Sequence, residues 1–108
     1  MKQPNLVNAV QYSELHTEFE VPAHTDRVSL RPGDVAKICV RIEGEPKLHG
    51  ERFWVLIATN RDGVYTGTVD NELVHTELHG LKNGDSVAFD YRHIYALERG
   101  PFGNKAKV

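Results

Sequence analysis

Short runs in which apolar and polar residues alternate, separated by turns that contain glycine, make up the middle of the chain. In residues 35–43, four aliphatic side chains share one face: Ala36, Ile38, Val40 and Ile42. A period of two is typical of a strand with one buried face. Further strand-like runs follow at residues 52–59, 64–69 and 86–91. The run at 52–59 is apolar on both faces, which predicts a central or covered strand.

The turns between these runs indicate how they are joined. Asp62-Gly63 supplies the positive φ angles of a tight hairpin, so the second and third runs are predicted to pair. Gly67, inside the third run, predicts a bend or a close approach of another part of the chain. Alternation in residues 73–78 predicts a short strand. Residues 92–97 are compatible with a one-turn helix or with a last short strand.

Four or five closely spaced strands without a crossover helix predict a mainly β fold. We expect a small, strongly bent antiparallel sheet or a partly open SH3/Sm-like barrel. The single β domain is assigned to residues 19–97. Residues 1–18 form an N-terminal segment whose apolar spacing is compatible with a short helix. Residues 98–108 are predicted to be a flexible tail, because they are polar and rich in glycine.

Composition excludes several classes of protein. The 108 residues carry 13 basic and 15 acidic side chains, a net charge of -2, which disfavours a protein that coats nucleic acid. The single cysteine excludes an intrachain disulfide and a cysteine-based zinc cluster. The longest apolar run, residues 53–58, is too short to cross a bilayer, and the N-terminus lacks a secretory signal. These features favour a bacterial cytoplasmic protein without membrane association.

Three residues have the spacing of a candidate metal site. If residues 73–78 and the turn after them were extended, His75, Glu77 and His79 would point to one side, and two imidazoles with a carboxylate suit zinc or iron. The helical H-E-x-x-H arrangement of zinc proteases is absent. The favoured interpretation is a set of exposed polar residues on an edge strand, so no cofactor is predicted.

Motifs for catalysis are also missing. The sequence contains no Gly-x-Ser-x-Gly elbow and no glycine-rich phosphate loop. Cys39 lies in the middle of a predicted strand, where no neighbour in the sequence would activate it. The sequence therefore favours a non-enzymatic protein.

Aromatic and basic residues give one alternative, binding of single-stranded nucleic acid. The aromatic candidates for a stacking platform are Trp54, Tyr65, Tyr91 and Tyr95, and the candidate flanking cations are Arg41, Arg52, Arg61 and Arg92. The competing interpretation is that these rings fill the core and its rim. The near-neutral net charge favours a different class of function, a module that binds a protein partner. The sequence names neither that partner nor the oligomeric state.

Three short motifs resemble an uncharacterised bacterial family, a domain of unknown function. The pattern is E-R-h-W-V, then G-x-h-D-N, then G-D-x-V-x-F, where h is apolar; here it begins at Glu51, Gly67 and Gly84. The match covers a little under half of the chain. The family often continues from Asp-Asn into proline, whereas Glu72 follows here. The resemblance implies a small bent β domain and no established activity.

The resemblance also directs attention to Asp70 and Asn71 at a strand end. Side chains of this type fix turns by hydrogen bonding to the backbone, which is the role we favour over ligand contact. Trp54 is expected in the core or at its rim. The candidate binding residues are thus Trp54, Tyr65, Asp70 and Asn71, in a module that binds a protein partner.

Overall fold

A computed structural model describes residues 1–101 and has a mainly β fold, as the alternation predicted. Five antiparallel strands form one open sheet: β1 (Val35–Arg41), β2 (Gly50–Arg61), β3 (Val64–Val69), β4 (Ser86–Asp90) and β5 (Ala96–Glu98). Their order is β4-β3-β2-β1-β5, so β2 occupies the centre. This is the central strand that the run at 52–59 predicted, although Trp54 and Leu56 on its outer face are only half-buried.

Short helical elements lie between the strands: α1 (Ala9–Leu15), α2 (His24–Arg27), α3 (Thr76–His79) and a 3-10 turn (Tyr91–His93). The Asn8 side chain begins α1 by accepting a hydrogen bond from the Gln11 amide at 3.1 Å. With 7 residues, α1 is too short to be stable alone and depends on packing. Within residues 1–101, no helix is long and apolar enough to cross a membrane.

The main core lies on one face of the sheet, and the outer face is opposite. The buried core residues are Leu30, Ala36, Ile38, Val40, Phe53, Val55, Ile57, Tyr65, Val69, Leu81, Val87, Phe89 and Ile94. The face assigned to Ala36, Ile38 and Val40 from the alternation is therefore confirmed. Gly67 marks a close approach, since a Cβ there would lie 2.5 Å from the Leu56 carbonyl oxygen.

Two parts of the chain differ from the predictions. Residues 73–78 do not form a strand: α3 begins at Thr76 and ends before Gly80, whose φ of +84° terminates it. The predicted tail begins with ordered residues, because Glu98 ends β5 and the Gly100 amide donates to the buried carboxylate of Asp34 at 2.7 Å. The remainder of that tail, residues 102–108, lies outside the described residues.

Residues 2–7, the first part of the N-terminal segment, bring the open sheet close to a barrel. Lys2 forms a parallel bridge with Val87 of β4, and Leu6 forms an antiparallel bridge with Val40 of β1. One segment therefore contacts two strands that are not neighbours in the sheet, which requires strong curvature. The term barrel applies only in part, because the five strands do not close on themselves.

Candidate functional site

The outer face of β1 and β2 carries the most distinctive group of polar side chains. Antiparallel pairing places Lys37 opposite Trp54, Cys39 opposite Arg52, and Arg41 opposite Gly50. Directly opposed residues point to the same side of a sheet. A period of two thus gathers three cations on one surface, facing away from the main core.

Arg52 lies against a group of aromatic rings. Its guanidinium carbon is 4.5 Å from the ring centre of Tyr95, 5.3 Å from Phe19 and 5.9 Å from Tyr12. These rings belong to a second, smaller core that includes Ala9 and covers one end of the outer face. Cation–π contacts of this kind hold an arginine side chain in a restricted orientation.

A cleft of about 340 Å³ lies beside Arg52, and we call it the Arg41–Arg52 cleft. Its lining includes Tyr12, Cys39, Arg41, Gly50, Arg52 and Tyr95. Gly50 matters because a Cβ at this position would lie 2.8 Å from the Cys39 sulfur and 2.9 Å from the Val40 carbonyl oxygen. The residue facing Arg41 across the strands therefore has no side chain.

The cations of the outer face lack acidic partners. In the described part of the protein, no carboxylate oxygen lies within 4.0 Å of the charged nitrogens of Lys37, Arg41 or Arg52. By contrast, Arg92 and Arg99 both pair with aspartates. The outer face is consequently a local positive region on a protein whose net charge is -2.

The ionisable groups inside the cleft do not supply the missing negative charge. Burial raises the pKa of the Cys39 thiol, although Arg52 and Arg41 oppose this effect. Burial is also the main cause that raises the pKa of Tyr95 to about 12. Both groups are therefore neutral at pH 7, and the two arginines remain uncompensated.

Trp54 lies in the same face, half-buried, with the Lys37 ammonium 5.0 Å from its ring centre. Its backbone amide donates to the Asn71 side-chain oxygen at 2.6 Å, and the Asn71 amide group donates to the Glu72 carbonyl at 2.7 Å. These are the turn-fixing bonds expected of Asn71. The same expectation for Asp70 is wrong: it is exposed, its side chain forms no hydrogen bond within residues 1–101, and only its backbone amide donates, to the Trp54 carbonyl.

The predicted aromatic platform is not one surface. Tyr65 is 0% exposed and belongs to the main core, so it cannot contact a ligand on the outer face. Tyr91 begins the 3-10 turn, where it packs against His24 and Arg27. Of the four rings, only Trp54 and Tyr95 lie with the cations of the outer face. Arg61 lies at the opposite end of β2 from Arg52, and Arg92 pairs with Asp90.

The candidate metal residues do not converge either. His79 turns inward, and its Nε2 lies 2.8 Å from a Glu51 carboxylate oxygen, with the side chain 1% exposed. His75 contributes its backbone amide to the same carboxylate, whereas Glu77 is exposed and takes no part in this contact. Among residues 1–101, no group of three or more His, Cys, Asp or Glu side chains could hold a metal ion.

The sequence did not identify three residues that contact the candidate site residues: Tyr12 and Phe19, which lie against Arg52, and Glu51, which binds His75 and His79. Tyr12 and Phe19 are seven positions apart, a spacing that could have indicated an apolar side of the N-terminal segment, but not its partner. Glu51 gave no signal, because the residues that it contacts are 23 to 28 positions away in the sequence.

Comparisons with known proteins give no relative from which a function could be transferred: no family model, curated protein or solved structure matches the chain. The resemblance to an uncharacterised bacterial family stays a prediction. The class of protein is therefore defined by the fold and the site, as a small open-sheet protein with a basic and aromatic outer face.

Proposed function

We propose that this protein is a non-enzymatic interaction module of the bacterial cytoplasm that binds an acidic segment of a protein partner on its outer face. The observation that carries the proposal is the group of three cations, Lys37, Arg41 and Arg52, without acidic partners in residues 1–101. Complementary charge selects partners and speeds their association. An acidic peptide supplies the charge that this surface lacks.

Binding across the face is favoured over addition of a strand at an edge. Lys2 exchanges backbone hydrogen bonds with Ser86 and Ala88, which occupies the free edge of β4. Residues 5–7 likewise bond to β1 beyond the end of β5. The remaining edge strand, β5, has only 3 residues. Little unpaired backbone is left for a partner strand.

The test is a selection from a library of random displayed peptides with the purified protein. We expect enrichment of peptides rich in Asp and Glu, bound less tightly as salt increases. Lys37→Gln should weaken binding of the selected peptides, whereas Lys82→Gln, an exposed lysine outside this face, should not. The proposal fails if no peptides are selected, or if those selected lack acidic residues and bind both variants equally.

Single-stranded nucleic acid is the second candidate, since Trp54, Lys37 and Arg52 share one face. The ring surfaces that a base would stack on are largely occupied, however. Tyr95 is 5% exposed beneath Arg52, and Lys37 covers Trp54. Titration with an oligothymidylate at low salt tests this candidate, because Trp54 is the only tryptophan. Quenching of its fluorescence would favour nucleic acid, and unchanged fluorescence would exclude stacking there.

A further inference from the structure

We infer that the Arg41–Arg52 cleft is the anchor point of this interaction, and that it takes one carboxylate of the partner. That carboxylate belongs to an Asp or Glu side chain or to the terminal carboxyl group of a peptide. The inference rests on the proposed function and assigns the part of the outer face where affinity is concentrated.

The two arginines are placed to share a single anion. Because Arg41 pairs with Gly50 and Cys39 pairs with Arg52, the arginines are diagonal neighbours on one face. Diagonal neighbours in antiparallel strands are about 7–8 Å apart, within reach for long side chains. Like charges at this spacing repel each other, and a carboxylate between them replaces repulsion by charge-assisted hydrogen bonds.

The space for that carboxylate is part of the fold. Gly50 adds no side chain opposite Arg41, and the cleft beside the two arginines has a volume of about 340 Å³. A larger residue at position 50 would collide with the Val40 carbonyl oxygen, which belongs to the backbone and cannot turn aside. Close packing against Gly50 therefore excludes a side chain at position 50, which would otherwise project beside Arg41 and Arg52.

The surroundings strengthen an ionic contact at this point. The ring of Tyr95 and its neighbours Tyr12 and Phe19 form an apolar wall that holds the Arg52 guanidinium. A guanidinium held in advance loses less conformational entropy when it binds an anion.

The experiment is an amide-detected NMR titration of the full-length protein with blocked pentapeptides. The probe acetyl-Gln-Gln-Glu-Gln-Gln-amide carries one carboxylate, and the all-glutamine peptide carries none. We expect only the first to shift the amides of Cys39, Arg41, Gly50 and Arg52. An all-glutamine peptide with a free C-terminus distinguishes a terminal carboxylate from a side-chain carboxylate. The probe that binds more tightly identifies the kind of carboxylate that the cleft takes.

Arg41→Gln is the diagnostic variant, because Arg41 is exposed and its removal leaves the packing intact. It should weaken binding of the preferred probe by about tenfold or more, the usual effect of losing a hydrogen bond between charged groups. Arg61→Gln, at the far end of β2, makes the same change of charge and should leave the affinity unchanged. Arg52→Lys keeps the charge but loses the planar fork, and should also weaken binding.

The outcomes separate this inference from the proposed function. If library-selected acidic peptides bind in a manner that depends on Lys37 but is unaffected by Arg41→Gln, the cleft is not the anchor and the proposed function stands. Equal shifts with the glutamate and the blocked all-glutamine peptides would also overturn the cleft as a carboxylate site. If neither pentapeptides nor library peptides bind the outer face, both proposals fail.

Discussion

Glu51 shows how a single residue holds a loop that has little regular structure. Its carboxylate accepts hydrogen bonds from the amides of Val74 and His75 at 2.7 and 2.9 Å, and from His79 at 2.8 Å. The His79 Nδ1 accepts from the Leu81 amide, so Nε2 carries the proton that is donated to Glu51. Residues 74–81 are thereby tied to the beginning of β2.

We expect Glu51→Gln to lower the free energy of unfolding by about 1–3 kcal/mol, because bonds to a charged acceptor are replaced by weaker ones. Burial acts to raise the Glu51 pKa, but the hydrogen bonds from His79, Val74 and His75 hold it below its ordinary value of 4.5. The stabilisation is therefore complete above pH 4.5 and is lost as pH falls through the lower pKa of the folded state.

Urea denaturation of both proteins across this pH range measures the effect. The difference in the free energy of unfolding between wild type and Glu51→Gln should narrow as pH falls below 4.5, the ordinary pKa of this carboxyl group. A gap that does not depend on pH would contradict the assigned role of the carboxylate.

Tyr65 carries a buried hydroxyl that joins two distant segments. It donates to the Arg27 carbonyl at 2.6 Å and accepts from the Leu30 amide at 3.1 Å. Tyr65→Phe leaves both backbone groups buried without this partner, so we expect a loss of about 1–3 kcal/mol in chemical denaturation. Tyr12→Phe is the control, since the Tyr12 hydroxyl forms no hydrogen bond within residues 1–101. Equal effects of the two changes would refute this account.

Among the elements of the fold, residues 2–7 act as an additional strand. The amides of Arg41 and Ala88 donate to the carbonyls of Asn5 and Lys2, while Leu6 packs against the main core. Removal of residues 1–7 frees these amides and uncovers an edge of the sheet.

Deletion of residues 1–7 should accelerate hydrogen exchange at the amides of Arg41 and Ala88 far more than at the central Val55. We also expect the free energy of unfolding to fall by a few kcal/mol, since each lost hydrogen bond contributes about 0.5–1.5 kcal/mol. Unchanged exchange at Ala88 would show that the segment does not protect β4.

The hairpin between β2 and β3 allows backbone strain and packing to be separated. Asp62 and Gly63 have φ of +52° and +83°, as the Asp-Gly motif predicted. Ala at position 63 would also bring a Cβ to 3.0 Å from the Tyr91 ring, whereas at Gly80, with φ +84°, no atom lies within 4 Å. Gly80→Ala therefore isolates the effect of backbone strain.

Thermal denaturation should show Gly80→Ala destabilised by about 1–2 kcal/mol from strain at positive φ. Gly63→Ala should lose more stability than Gly80→Ala, because Tyr91 and Val28 must also move. A smaller loss at position 63 than at position 80 would mean that the Tyr91 contact is easily relieved.

For the whole molecule, the sheet separates two cores of unequal size. The second core depends on α1 and on Phe19, and contains three buried residues, Ala9, Cys39 and Tyr95. A short helix with little buried apolar surface opens at a lower free energy than the centre of a sheet. The proposed binding face thus borders a part of the molecule that we expect to open more easily than the centre of the sheet.

Phe19→Ala should remove about 2 kcal/mol of protection at the α1 amides, less than the roughly 3–5 kcal/mol typical of a fully buried Phe. Native-state hydrogen exchange measures this, with the amides of Val55 and Tyr65 as internal controls. Equal loss of protection at all sites would indicate that both cores unfold as one unit.

Local patterns predicted the strands because burial of one face of a sheet imposes a period of two on the sequence. The residues of β1, the apolar β2 and the Asp62-Gly63 turn all follow from such local rules. The error at residues 73–78 has a physical reason. Alternation over only six residues is a weak signal, and the contact with Glu51 favours a helical turn there.

Local sequence was enough to establish the β class, the hairpin, the core face of β1 and the turn-fixing role of Asn71, because these depend on near neighbours or on side-chain type. Tertiary structure was needed for the contact of Arg52 with Tyr95, the inward turn of His79 and the closure by Lys2 and Leu6. Each of these contacts joins residues far apart in the sequence, and their meeting depends on strand register and curvature, which no local pattern encodes.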